Sequence, residues 1–195
     1  MAKPYLELTT GDDFMTVPPA APYWIDISGL AAAADGPPLR MAVVPCPAGG
    51  KHLEAAIQSL REQGIDTLVS LLTAEEARVL QLEAEGRTCR EAGIDYRWLP
   101  VTDHSIPDSM EEFRLVVDQL QRDLRAGKGV GAHCYAGIGR SCLLMACLLC
   151  LEGLTAAEAF KRLSAARGLR VPDTWLQIQW VQHFAESLQN SSGRL

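Results

Sequence analysis

The sequence predicts an α/β fold, a single domain with a mainly parallel central sheet flanked by helices. Three observations carry that expectation. Short apolar runs alternate with amphipathic segments along most of the 195 residues. One of the runs, "DTLVSLL" at 66–72, is apolar without alternation, as a strand covered on both faces must be. Three amphipathic segments open on Ser or Thr followed three residues later by Glu, a sequence sign of a helix start.

Taken in chain order, residues 1–21 are rich in Pro and Ala and are expected to form an arm, with the folded domain spanning 22–190. "YWIDISG" (23–29) and "LRMAVVPCP" (39–47) predict two short strands, separated by the loop sequence "AAAADGPP". "GGKHLEAAIQSLREQGID" predicts a helix with Leu53, Ala56, Ile57 and Leu60 on one face, and leads into the apolar run. "TAEEARVLQLEAEG" (73–86) is expected to be a single helix capped by Thr73 and Glu76. "GIDYRWLPV" predicts a strand, and the loop "TDHSIPDS" (102–109) follows it. A long helix then begins at Asp108 or Ser109, with Ser109 and Glu112 at cap spacing, and runs to about Leu124. "GKGVGAHC" (127–134) is a strand feeding the turn "YAGIGR" and the apolar helix behind it. Thr155 and Glu158 cap the next helix, and Pro172 is expected near the first turn of the last.

The net charge of −6 argues against a nucleic-acid surface, which needs a basic patch. The longest apolar run, Cys142 to Leu151, is too short for a membrane span of about 20 residues. The N-terminus lacks a secretory signal pattern, so a cytoplasmic location is expected, with the six cysteines reduced and no zinc site.

Chemistry concentrates at residues 133–141, "HCYAGIGRS". Gly137 and Gly139 free the turn to aim successive backbone N–H groups at one point, and the following helix adds its N-terminal partial charge there. Arg140 supplies a planar fork for two oxygens of a tetrahedral anion. The field that would hold phosphate also favours a thiolate, so Cys134 is the expected nucleophile. Ser141 can hydrogen-bond its sulfur. Asp103 sits in a loop at the same edge of the sheet and is the candidate general acid, with Asp108 its rival but better explained as a helix cap. No metal or cofactor is expected, because the arginine, the amides and the helix end together neutralise a transferring phosphoryl group.

These residues resemble the cysteine-dependent protein phosphatases, whose signature is His-Cys-x5-Arg-Ser/Thr. More narrowly, "HCYAGIGRSCLLMACLL" is similar to the kinase-associated phosphatase family of dual-specificity enzymes, over about residues 40–188. The resemblance implies a protein-tyrosine-phosphatase-like fold and a cysteinyl-phosphate intermediate. It assigns the nucleophile to Cys134, the phosphate-binding arginine to Arg140, the acid to Asp103 and the hydroxyl to Ser141. The backbone of Tyr135, Ala136, Gly137, Ile138 and Gly139 would hold phosphate, and His133 would order the loop and tune the thiolate. Gln179 falls near a supporting glutamine of related enzymes, with helix packing as its alternative role. Ala136 stands where the family has a second loop glycine, and the loop lacks the lysines of phosphoinositide phosphatases.

The implied substrate is a phosphorylated protein bearing phosphotyrosine, with phosphoserine and phosphothreonine in a dual-specificity enzyme. Two alternatives stay open: a phosphate-reading pseudophosphatase module, and a phosphatase of a small phosphorylated metabolite. Neither nucleic acid nor membrane is an expected partner. Of the remaining residues, His104 could shape the pocket rim, while His52 and His183 are expected on the surface and Trp175 and Trp180 in the core. Arg167 and Arg170 could meet a second phosphate, and Cys89 or Cys142 could trap an oxidised Cys134 as a disulfide.

Overall fold

The structure, a computed structural model, describes residues 21–30 and 36–192, with side chains through 188. The expected N-terminal arm therefore lies outside the described residues except for its last position. Five strands form one sheet in the order β1-β2-β5-β3-β4, with β1 Tyr23–Trp24, β2 Arg40–Val43, β3 Thr67–Ser70, β4 Asp95–Trp98 and β5 Gly129–His133. Every pair is parallel except β1 with β2, which is antiparallel at the edge. The predicted α/β class and mainly parallel sheet are what the chain adopts.

Seven α-helices among the described residues cover the two faces: α1 Leu53–Glu62, α2 Ala74–Val79, α3 Glu85–Glu91, α4 Met110–Arg125, α5 Arg140–Leu151, α6 Ala156–Arg167 and α7 Trp175–Ser192. The strands alternate their side chains between two cores. Met41, Val43, Val69, Leu71, Val130 and Ala132 face a large core shared with Phe113, α5 and Phe184. Ala42, Val44 and Leu68 face a smaller one with Leu53, Ile57, Leu60, Cys89 and Ile94. Helix α5 lies between the sheet and its neighbours, so nearly its whole circumference is buried.

The capping boxes at Thr73 and Thr155 form in both directions, while at Ser109 only the forward half forms, the Glu112 amide donating to the serine hydroxyl. Ser109, not Asp108, is therefore the cap of α4. Residues 73–86 do not make one helix. The chain breaks after α2 at Gln81, whose φ of 57° is left-handed and whose carbonyl accepts from the Gly50 amide, and it restarts as α3. Pro172 lies ahead of α7 rather than in its first turn, which Thr174 opens by accepting from the Gln177 amide. Trp175 is 66% exposed, against the expectation of core packing, because it precedes the stretch of α7 that meets the other helices. Trp180 does pack, edge-on to Phe113 with ring centroids 6.0 Å apart.

Cys147 and Cys150 stand at CxxC spacing, a pair that bears on the expected absence of zinc. Both are buried in α5, burial raises both thiols, and no cluster of three metal-ligating side chains occurs among the described residues. All six cysteines are free. Among the described residues no helix is long and apolar enough to cross a membrane.

Phe113 carries a testable share of the large core: it is fully buried and meets both Trp180 and Phe184 edge-to-face at 6.0 Å. Phe113→Ala is expected to lower the unfolding free energy by about 3–5 kcal/mol in urea denaturation. A loss below about 1 kcal/mol would mean that the helix layer does not pack around this ring.

Candidate active site

The carboxyl ends of β3, β4 and β5 lie side by side, and the segments that leave them build one pocket edge. Strand β5 ends at His133, and Cys134 follows it at 2% exposure. The chain then turns through Gly137, whose φ of 68° is left-handed, and enters α5 at Arg140 with Gly139 as its cap. A Cβ on Gly139 would fall 2.8 Å from Gln177 Nε2 and against the Asp173 carboxylate, so a larger residue there would displace the ends of those two side chains.

Cys134 Sγ is 3.4 Å from the Ser141 hydroxyl. Burial alone would push this thiol up. The Ser141 hydroxyl, the Ser141 amide, the Arg140 charge and the Gly137 amide together outweigh burial and hold it below its ordinary value. The Gly137 and Ser141 amides and the Ser141 hydroxyl thus converge on the sulfur from the turn and the first turn of α5.

Arg140 is among the largest fully buried side chains in the protein, at 1% exposure. Its Nη1 donates to Glu76 Oε2 at 2.8 Å and to the Val101 carbonyl at 2.9 Å, and Nη2 donates to Glu76 Oε1 at 2.8 Å. Nη2 also lies 2.9 Å from Asp103 Oδ1. The Nε hydrogen has no partner although it is buried. The two Nη groups are thus held by the Glu76 and Asp103 carboxylates and by the Leu71 and Val101 carbonyls beyond β3 and β4, which leaves Nε–H as the donor to spare for an oxyanion. Glu76 does this while capping α2, accepting from both the amide and the hydroxyl of Thr73. Burial would raise its carboxyl, but hydrogen bonds from Arg140 and Thr73 hold it below its ordinary 4.5.

Beneath the loop, His133 Nε2 and Glu85 Oε1 form a fully buried ion pair at 2.8 Å, and the Tyr96 hydroxyl donates to Glu85 Oε2 at 3.1 Å. Burial lowers the imidazole, but Glu85 and then Cys46 raise it further, so His133 is held well above its ordinary value. His133 Nδ1 lies 3.4 Å from the Cys134 carbonyl, which anchors the start of the turn.

The structure brings Cys134, Ser141, Arg140, Asp103 and His133 together in one place. Asp108 is exposed and outside that set. Tyr135 is 57% exposed at the rim, and Ala136, Gly137, Ile138 and Gly139 form the turn. The glutamine that reaches the site is Gln177, not Gln179: Gln177 is buried and donates to the Ser105 carbonyl of the acid loop at 3.1 Å, whereas Gln179 is exposed two residues on. Gln177 Oε1 is buried and unpartnered. His104, with a left-handed φ of 56°, sits 3.4 Å from Asp103 Oδ2 and 3.8 Å from Asp173 Oδ2. Cys142 lies behind the turn, its thiol 3.6 Å from the Gly137 carbonyl, while Cys89 belongs to the smaller core on the other side of the sheet. Glu76 and Glu85 were not legible as site residues, since one reads as a cap and the other as a helix-surface acid.

Glu76 gives a measurable consequence. Its carboxyl lies below 4.5 in the folded protein, so its contribution is complete above that pH and disappears as pH falls through the lower folded value. Glu76→Gln is expected to lower the unfolding free energy at pH 7 by about 1.5–3 kcal/mol, with the gap to wild type closing in acid. Chemical denaturation at pH 7 and at about pH 3.5 tests this, and a gap that does not narrow would refute it.

Comparison with known proteins shows the family and the fold. A family model described as "Tc-R-P: Polymorphic toxin system, DSP-PTPase phosphatase" matches residues 44–154, more than half of the chain. Cyclin-dependent kinase inhibitor 3 of Rattus norvegicus is 24% identical over 140 residues, 71% of this chain and 66% of the relative, so the match spans just under two thirds of the relative's length. Dual specificity protein phosphatase 5 of Homo sapiens is 29% identical over 99 residues, 50% of this chain and 26% of that protein. The crystal structure of kinase associated phosphatase with its catalytic-site cysteine replaced by serine superposes with a TM-score of 0.76 at 20% identity, covering 88% of this chain and 97% of the other. With an α/β sheet of the same shape and the family match lying over the cysteine turn, the chain belongs to the DSP-PTPase phosphatase family.

Proposed function

We propose that the protein hydrolyses phosphate monoesters on proteins through a cysteinyl-phosphate intermediate, acting on phosphotyrosine and, as a dual-specificity enzyme, on phosphoserine and phosphothreonine. One observation carries the reading: a buried, lowered thiol at Cys134 shares a loop with Arg140, and Arg140 lies 2.9 Å from the candidate acid Asp103.

The Cys134 thiolate attacks phosphorus, forming the S–P bond as the P–O bond to the leaving group breaks. Asp103 gives its proton to the departing oxygen. Inward amides of the turn, together with the Arg140 charge and its free Nε–H, hold the equatorial oxygens in both steps. Water then attacks the phosphocysteine, Asp103 takes a proton from it, and the S–P bond breaks with inorganic phosphate as product. Ser141 donates to the sulfur as it leaves, 3.4 Å away. The exposed ring of Tyr135 beside the nucleophile offers a surface for a substrate side chain, which favours a protein over a small metabolite. An intact acid and arginine favour turnover over phosphate reading alone. The need for a reduced nucleophile fits a cytoplasmic enzyme with free cysteines.

The test is release of p-nitrophenol from p-nitrophenyl phosphate with EDTA present. Cys134→Ser is expected to abolish turnover, and Asp103→Asn to slow it roughly 100-fold or more. The acid limb of the wild-type pH profile is expected below the ordinary thiol value of 9.0, reflecting the lowered Cys134. Turnover that survives Cys134→Ser, or that requires a metal, would overturn the mechanism.

A further inference from the structure

The phosphate loop has an outside as well as an inside, and Arg167, the last residue of α6, occupies the outside. Its Nε donates to the Gly137 carbonyl at 2.7 Å and its Nη2 to the Ala136 carbonyl at 3.2 Å. A trans peptide unit is planar, with its C=O and N–H pointing opposite ways. The Ala136 carbonyl shares a unit with the Gly137 N–H, and the Gly137 carbonyl shares one with the Ile138 N–H. Holding both carbonyls outward therefore turns both amides inward. The left-handed φ of Gly137 is what allows two successive units to adopt this arrangement. The Gly137 amide is among the groups that favour the Cys134 thiolate, so the inner end of this lever already acts on the nucleophile.

The arginine is itself held. Its guanidinium carbon lies 3.9 Å from the centroid of the Tyr23 ring, on the antiparallel edge strand β1. A lysine could not make two such bonds from a flat fork while stacking on a ring. The expectation that Arg167 meets a second phosphate gives way here, because its fork is engaged with the loop.

We propose that Arg167 is a positioning residue of the reaction, which sets the Gly137 and Ile138 amides toward the transferring phosphoryl group while Tyr23 holds the guanidinium in place. The proposal rests on the reading of residues 134–140 as the phosphoryl site. The charged groups around Cys134 are Arg140 with its partners Glu76 and Asp103, the His133–Glu85 pair at the end of β5, and Asp173 beside Gly139 with His104 next to it; Arg167 acts through the backbone carbonyls it holds.

The experiment compares full-length wild type with Arg167→Lys, Arg167→Ala, Tyr23→Leu and Arg162→Ala. Arg162 is the control, because it lies on the same helix and also donates to two backbone carbonyls, those of Asp26 and Ser28. Three quantities are read: kcat and KM on p-nitrophenyl phosphate, the inhibition constant of vanadate, and the pH midpoint of iodoacetamide alkylation of Cys134 mapped by mass spectrometry. Both Arg167 variants are expected to lose roughly 10- to 100-fold in kcat, bind vanadate more weakly, and shift the alkylation midpoint to higher pH. Tyr23→Leu should move the same quantities less, and Arg162→Ala should leave all three at the wild-type values. If Arg167→Ala does not fold, Arg167→Lys, which keeps the charge and the stem, decides alone. Wild-type values of all three quantities in a folded Arg167 variant would overturn the proposal, even with a lowered melting temperature. A wild type that neither turns over nor alkylates Cys134 at neutral pH would instead remove the phosphoryl-site reading, and the proposal with it.

Discussion

A buried guanidinium is the constraint around which the rest is arranged. Taking Arg140 out of water is expensive unless nearly every donor is met, and the loop–helix junction places it where no water can help. The fold answers with a bidentate carboxylate from Glu76 and a carbonyl from the end of β4's run at Val101. Those partners follow β3 and β4 while the arginine follows β5, so the adjacency β5-β3-β4 in the sheet is what brings the three together. Charge would otherwise be a liability in the large core. Here it fixes where α2, the acid loop and α5 must sit relative to one another.

Glu76 ties local folding to the site. The same carboxylate closes the first turn of α2 and carries the arginine, so the helix cannot fray without loosening the fork. His133 and Glu85 act in a similar way deeper in the fold, where their buried ion pair joins α3 to the strand that ends just before Cys134. Two carboxylates on consecutive short helices thus support one loop from two depths. The break between those helices at Gln81 is what lets each of them aim separately.

Much of this was legible in the sequence, and what was not has a physical cause. The turn at 133–141 could be read because its chemistry is local: nucleophile, glycines, arginine and hydroxyl lie within nine residues. The parallel sheet could be read because β3 is buried on both faces and looks so. Glu76 could be read only as a cap, since its partner lies 64 residues away and no local pattern encodes that meeting. The single helix expected over 73–86 failed at a left-handed glutamine held by the Gly50 amide, a contact made from a distant turn. Gln179 was picked from a resemblance alone, and Gln177 lies two positions before it, about 200° around the helix, so only one of the two can face the site. Trp175 was assigned to the core on residue type, yet it falls in the turn before α7 reaches its neighbours. Arg167 was read as a free cation for substrate because backbone carbonyls leave no trace in a sequence.

Helix α5 has a consequence for motion. From Arg140 to Cys150 every residue is buried, enclosed by the sheet, α4, α6 and α7. A segment so enclosed has no cheaper route to solvent than disassembly of the domain, so its amides should exchange hydrogen only through global unfolding. The cysteine turn is joined directly to this enclosed helix. Adaptation to differently shaped substrates then falls to the rim, to the acid loop with its left-handed His104 and to the exposed start of α7. Such a division keeps the cysteine turn fixed by the interior while the segments around it are held by fewer neighbours.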